Sequence, residues 1–158
     1  MSFSTLIAKG LRDCRFERFG TPILPVDDMT PAGPAEASLQ FDGDNLRYYL
    51  MRLQCRPPVV GSMTRHLHAT QCLGSADAQP WWLAVAEPTL NAEQLDHTTV
   101  QLVKVEAGEA LKLHQGTWHA GPFFQTPTAL FFNLELSDTN QKDHNCQPLA
   151  HKLRLTLT

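Results

Sequence analysis

The chain has 158 residues, 42% of them hydrophobic, and its 13 basic and 16 acidic side chains leave a formal charge of -3. That size and apolar content suffice for one real core, so a single domain over residues 1–158 is expected, and the absence of a basic stripe or interleaved aromatic run speaks against nucleic-acid binding. No apolar segment is long enough to span a bilayer, and the opening MSFSTLIAKGLRD lacks a secretory apolar region and cleavage site, so a soluble cytoplasmic protein without membrane contacts is expected.

In chain order the sequence reads as short strands with frequent punctuation. Residues 6–8 begin a strand, and residues 12–19 make a brief helical turn that Gly20 stops. Residues 21–26 are interrupted by Pro22 and Pro25 and suit an edge strand, while residues 27–38, DDMTPAGPAEAS, have the composition of a surface loop. Residues 46–55, LRYYLMRLQC, favour a strand over a helix, with Pro57 and Pro58 forcing an extended exit. The four cysteines, Cys14, Cys55, Cys72 and Cys146, are scattered without a CxxC pair and read as buried, reduced thiols.

In the second half, WWLAVA at residues 81–86 is an apolar run of strand length ended by Pro88. A short helix is expected around Ala92 to Leu95, then strands at residues 100–105 and 128–136, the latter central from its β-branched and aromatic content. Residues 138–145 form a polar loop, and HKLRLTL at residues 151–157 alternates as a closing strand. Seven or more short strands with few helices predict a β-sandwich or barrel.

Two clusters carry the chemistry. GSMTRHLHATQCLG, residues 61–74, places His66 and His68 two apart, which in a strand puts both imidazoles on one face. GEALKLHQGTWHAGPFF, residues 108–124, reads as strand, turn, strand around Gly116, with His114 and His119 facing one cavity. Four histidines from separated strands converge only if the sheet closes or folds over. By contrast, His97, His144 and His151 read as structural, Trp81 and Trp82 as core or dimer packing, and Lys112 and Gln115 as solvated. Glu135 lies on the central strand, sharing a face with Asn133 and Phe131, where an ionised carboxylate needs a partner.

These clusters resemble the paired motifs of the cupin superfamily. Gly108, Gly116 and His119 fill three places of its second motif, with His114 where proline is usual, and His66 and His68 match the His-x-His pair of its first. Within that superfamily the chain resembles the ureidoglycolate lyase family through FERFGTPI, TRHLHATQ, LHQGTWHAGPFF and LELSDTNQKDHN, while His68 stands where that family more often has an apolar residue. The resemblance implies an all-β, cupin-type double-stranded β-helix (jelly-roll) barrel with a few short helices, and cleavage of ureidoglycolate to glyoxylate and urea in purine and allantoin degradation. A homodimer is expected from the resemblance and from the edge strands of an open-ended barrel.

Ureidoglycolate is a carbinolamide, one carbon bearing a hydroxyl, a carboxylate and a urea nitrogen. Its cleavage needs a base at the hydroxyl, an acid at the departing nitrogen and a cation at the carboxylate. His114 and His119 are candidates for the proton roles, since histidine titrates near working pH, or for metal ligation. Arg65 offers a planar fork to the carboxylate, although strand parity sets it opposite the histidines and leaves a surface or interface role open. Trp118 and Gln71 are the further substrate-binding candidates. One divalent ion of unspecified identity would take His66, His68, Gln71 and His119 as ligands; Gln71 needs a β-bulge to point inward, and Cys72 is its rival by parity. A different metal-dependent cupin enzyme, a dioxygenase or isomerase, and a non-catalytic binder of small acids or sugars are the alternatives.

Overall fold

The computed structural model describes residues 3–91 and 94–158. Eleven strands occur among the described residues: β1 (Ser4–Gly10), β2 (Gly20–Ile23), β3 (Leu46–Gln54), β4 (Val59–Arg65), β5 (Cys72–Ser75), β6 (Trp81–Ala86), β7 (Gln101–Val105), β8 (Ala110–Leu113), β9 (Trp118–Phe123), β10 (Thr128–Leu136) and β11 (Asn145–Thr156). One helical turn, α1 (Thr139–Lys142), precedes the last strand, and 3-10 turns lie at Phe16–Arg18 and His97–Thr99. The helix expected around Ala92 to Leu95 falls partly on residues 92 and 93, outside the described residues. No helix among the described residues is long and apolar enough to cross a membrane.

Six strands close a barrel in the order β1-β11-β4-β9-β6-β7, and five form a second sheet in the order β2-β8-β5-β10-β3. The fold is the all-β, cupin-like barrel expected. β10 is central, paired with both β3 and β5, and β11 closes the barrel between β1 and β4. β2 lies at a sheet edge, where Pro22 costs no ladder bond that the sheet needs.

WWLAVA is apolar throughout because β6 has no wet face. Trp82, Ala84 and Ala86 pack inside the closed barrel with Met63, Leu102 and Trp118. Trp81, Leu83 and Val85 pack on the other side, against Phe131, Leu111 and Phe124 in the space between barrel and second sheet. A strand buried on both faces reads as a continuous run instead of an alternation. Leu83 is wholly buried, and its truncation to Ala would cost about 2–5 kcal/mol.

The second core also sets up the site. Along β10, the inward positions run from Ala129 and Phe131, in the apolar cluster, to Asn133 and Glu135, both buried. The space between the sheets therefore changes from apolar to polar along one strand.

Several local expectations are corrected. Cys55 and Cys146 are exposed instead of buried, and Lys112 is buried instead of solvated. The segments flanking Gly116 are not a hairpin: β8 pairs with β2 and β5, whereas β9 pairs with β4 and β6. The Gly116 turn instead carries the chain from the second sheet to the barrel. Its amide donates to the His66 carbonyl at 2.7 Å, the His114 amide to the Phe19 carbonyl, and the Thr117 hydroxyl to the same Phe19 carbonyl. Gly116 has φ +84, and a Cβ there would meet the Thr89 carbonyl oxygen at 2.6 Å, so only glycine fits.

Nor do His66 and His68 lie on a strand, since β4 ends at Arg65. The Asp143 carboxylate accepts from the amides of Leu67 (2.7 Å) and His68 (2.8 Å). Backbone amides capped by a side chain no longer alternate as a strand does, and the parity argument lapses.

Candidate active site

The polar end of the space between the sheets opens into a cavity of about 400 Å³. β4 supplies Ser62 and Thr64, with His66 just beyond its end; β9 supplies His119, and β10 supplies Asn133 and Glu135. Tyr49 and Met51 come from β3, Asn140 from α1, His144 from the loop before β11, and Arg56 from the exit of β3. Gln71 completes the wall, directly before β5.

His66 and His119 have ring centroids 5.0 Å apart, and those of His66 and His144 are 6.0 Å apart. The tautomers of the first two follow from their partners. His66 Nδ1 lies 2.6 Å from the Asp143 carbonyl oxygen, and His119 Nδ1 lies 3.2 Å from that of Thr117. A carbonyl only accepts, so in each neutral ring Nδ1 carries the proton and Nε2 keeps a lone pair. Burial, reinforced by the neighbouring His66 and His144, pushes the His119 pKa down to about 3 against a small opposing effect of the Thr117 carbonyl. His119 is thus a neutral imidazole at working pH.

Opposite the imidazoles is an amide–carboxylate network. Gln71 Nε2 donates to Asn133 Oδ1 at 3.0 Å and to Glu135 Oε2 at 3.4 Å. The Tyr49 hydroxyl donates to Glu135 Oε1 at 3.2 Å and accepts from Asn133 Nδ2 at 3.1 Å. Burial raises the Tyr49 pKa, keeping its proton available to Glu135. One group is left over: Gln71 Oε1 is buried and finds no partner among the described residues. An orphaned buried carbonyl costs about 1–3 kcal/mol, and in a cavity wall it suits a ligand N–H.

The predicted residues divide accordingly. His66, Gln71 and His119 meet at the cavity. His68 does not: it is 54% exposed, with Nδ1 3.7 Å from Asp42 Oδ2. His114 lies away from the cavity, between Lys112 Nζ at 3.2 Å and the Glu17 carbonyl at 3.0 Å, because it precedes the crossover that carries His119 to the other sheet. Gln71 points inward without a bulge, and Cys72 faces the outer side of the second sheet beside Tyr48 and Phe132.

Arg65 and Trp118 also lie off the cavity, since each sits back to back with a cavity residue, Thr64 and His119 respectively. The Arg65 guanidinium donates to the Thr89 carbonyl (2.7 Å), the Thr89 hydroxyl (2.8 Å) and the Asn91 carbonyl (2.6 Å), and stacks 4.8 Å from the Trp118 ring centroid. The Trp118 indole N–H donates to the same Thr89 hydroxyl.

The ion-binding set His66, His68, Gln71 and His119 does not close on one point, because the His68 side chain is half-exposed and directed at Asp42, away from the cavity. No group of three or more His, Cys, Asp or Glu among the described residues is arranged to hold a metal ion. The donors present therefore do not fit the divalent ion expected.

Sequence reasoning missed Arg56, Tyr49, Asn140 and His144. Arg56 precedes the Pro57-Pro58 exit and stacks its guanidinium 4.5 Å over the Phe123 ring, with desolvation lowering its pKa. His144 follows Asp143, whose capping of residues 67 and 68 brings that loop to the cavity. Neither has a local signal, since each contact joins segments far apart in the chain.

A family model described as ureidoglycolate lyase matches residues 4–158, nearly the whole chain. A search of curated proteins gives no match.

Proposed function

Because the chain belongs to the ureidoglycolate lyase family, we propose that the cavity between the sheets binds ureidoglycolate and cleaves its carbon–nitrogen bond to give glyoxylate and urea. The observation that carries this reading is the buried, unpartnered Gln71 Oε1 beside Glu135: an acceptor-rich wall that suits the N–H groups of a ureido moiety. Among the described residues lining the cavity Arg56 is the only lysine or arginine, and its planar fork takes the carboxylate. The carbinol hydroxyl then lies toward Nε2 of His66.

In the reaction, the hydroxyl proton passes to His66 Nε2, while the neutral His119, whose Nε2 can only accept, takes a hydrogen bond from the ureido N–H next to the carbinol carbon and orients it. The C–O bond becomes a carbonyl, the C–N bond breaks, and the departing urea nitrogen takes the proton from His66. Atoms and charge balance without an external reagent. Pairing of the substrate's donors with Gln71 and Glu135 fixes the leaving group at hydrogen-bond range of the shuttle, which is the orientation that makes a positioned acid effective.

The chain acts as a homodimer in this reading. Among the described residues β3 pairs with β10 alone, leaving a nine-residue edge, and Tyr48, Leu50 and Phe132 are exposed beside it, with Tyr48 and Phe132 stacked at 5.8 Å. A monomeric mass by sedimentation would remove this part.

The decisive assay is urea release from racemic ureidoglycolate, corrected for spontaneous breakdown. Enzyme-dependent urea with equimolar glyoxylate supports the reading; a rate equal to background refutes it.

A further inference from the structure

A second cavity, of about 490 Å³, adjoins the first on the outer side of the barrel, lined by Phe3, Arg56, Pro57, Val59, Gly61, Lys152 and Arg154. Arg56 belongs to the walls of both. The register of β11 against β4 shifts between Pro148 and Leu153, opposite Gly61, and there the Lys152 stem lies over that glycine, with Lys152 Cε 3.8 Å from where a Cβ would stand. Arg154 stacks 5.2 Å from the Phe3 ring centroid, as Arg56 does on Phe123. The lining holds three cations and no carboxylate, and none of the three forms an ion pair among the described residues.

Such a concentration runs against the rest of the molecule. The whole chain carries a formal charge of -3, so the net charge of the molecule does not by itself draw in an anionic substrate, and a local cluster of cations does. Like charges kept together without carboxylate partners repel one another, and an anion relieves that repulsion. The aromatic platforms hold two of the guanidiniums in place while leaving their N–H edges open.

We propose that this basic chamber is an anion-capture vestibule for small carboxylates, which it draws from solution and passes to Arg56 at the mouth of the inner cavity. The proposal rests on the reading that the inner cavity takes a carboxylate substrate. Arg56 serves as the transfer point because it faces both chambers, whereas Lys152 and Arg154 act at the approach and touch no reacting atom. Their contribution is to capture, so their loss falls on kcat/KM and spares kcat.

The test titrates glycolate, a 2-hydroxy carboxylate without a ureido group, into the intact protein by calorimetry at low and near-physiological salt. The wild type should bind glycolate with an affinity that falls as salt rises. Replacing both approach cations, Lys152→Gln with Arg154→Gln, should weaken binding at low salt by roughly tenfold and flatten the salt dependence. The charge-keeping pair, Lys152→Arg with Arg154→Lys, should restore both, which excludes misfolding as the cause. In turnover, the neutralised variant should lose kcat/KM in the same proportion while kcat holds. Equal affinity and salt dependence in the wild type and the neutralised variant would overturn the vestibule, as would a wild type that does not bind glycolate. Vestibule-dependent glycolate binding without any urea release would support it and refute the lyase reading alone.

Discussion

Removing the Asp143 carboxylate should both loosen the fold and disarm the site. It is 2% exposed, and its two oxygens accept from the amides of Leu67 and His68 at 2.7 and 2.8 Å. Hydrogen bonds to a charged acceptor contribute about 1.5–3 kcal/mol each, and a buried amide left without a partner costs about 1–3 kcal/mol. Water reaching the His68 amide, which lies near an exposed side chain, offsets part of this, so Asp143→Ala should destabilise by about 2–4 kcal/mol. For a chain of this length about 2–4 °C accompanies each kcal/mol, giving a melting temperature lower by roughly 4–16 °C. The same loop presents the carbonyl that fixes the His66 tautomer, so urea release should fall alongside stability. Asp143→Asn keeps one acceptor and should be intermediate in both. Urea denaturation with thermal melting followed by circular dichroism supplies the stability arm. An Asp143→Ala protein that melts with the wild type would falsify the claim that this carboxylate organises residues 66–68.

His119→Ala should abolish enzyme-dependent urea release while leaving the far-ultraviolet spectrum intact; surviving turnover would place the chemistry elsewhere. The same imidazole makes stability depend on pH: its folded pKa of about 3 lies below its ordinary value of 6.5, so the unfolded chain binds the extra proton. The contribution is fully present above pH 6.5 and is lost as pH falls from 6.5 toward 3, and His119→Gln should flatten that slope in denaturant midpoints measured across the range. The two arginines should separate cleanly. Arg56→Lys should raise KM for ureidoglycolate more than it lowers kcat, whereas Arg65→Lys should leave KM alone and cost about 1–3 kcal/mol of stability, because its fork serves the Thr89 and Asn91 carbonyls. A raised KM in Arg65→Lys with unchanged stability would reverse that assignment.

The sequence carried the strands well where composition and one-face burial agree. TALFFNLEL announces a central strand, and its inward set of Phe131, Asn133 and Glu135 was readable as one face, though not as the passage from core to cavity. His66, Gln71 and His119 were legible because polar residues cluster at motif spacing. What failed was inference by parity through segments that are not strands. Asp143, 75 or more residues away, takes the amides that a ladder would have used, and the Gly116 turn changes sheets instead of reversing within one. The loss of Arg65 and Trp118 from the cavity follows the same logic: adjacent residues on β4 and β9 point to opposite faces, and the faces belong to separate cores. Arg56 and His144 reach the site only through tertiary packing, which no local pattern encodes.

The strands β4, β6 and β9 are party walls, each with an occupied room on both sides. Thr64 and His119 face the cavity while Arg65 and Trp118 fill the barrel behind them, so a volume change in either room presses on the other through a single thickness of backbone. Under sequence drift, compensation for a change at the chemistry should therefore arise behind the wall, among Met63, Trp82 and Trp118, rather than beside the substituted residue. In a directed-evolution campaign that altered the ureido-binding wall, those barrel positions are the ones to randomise first.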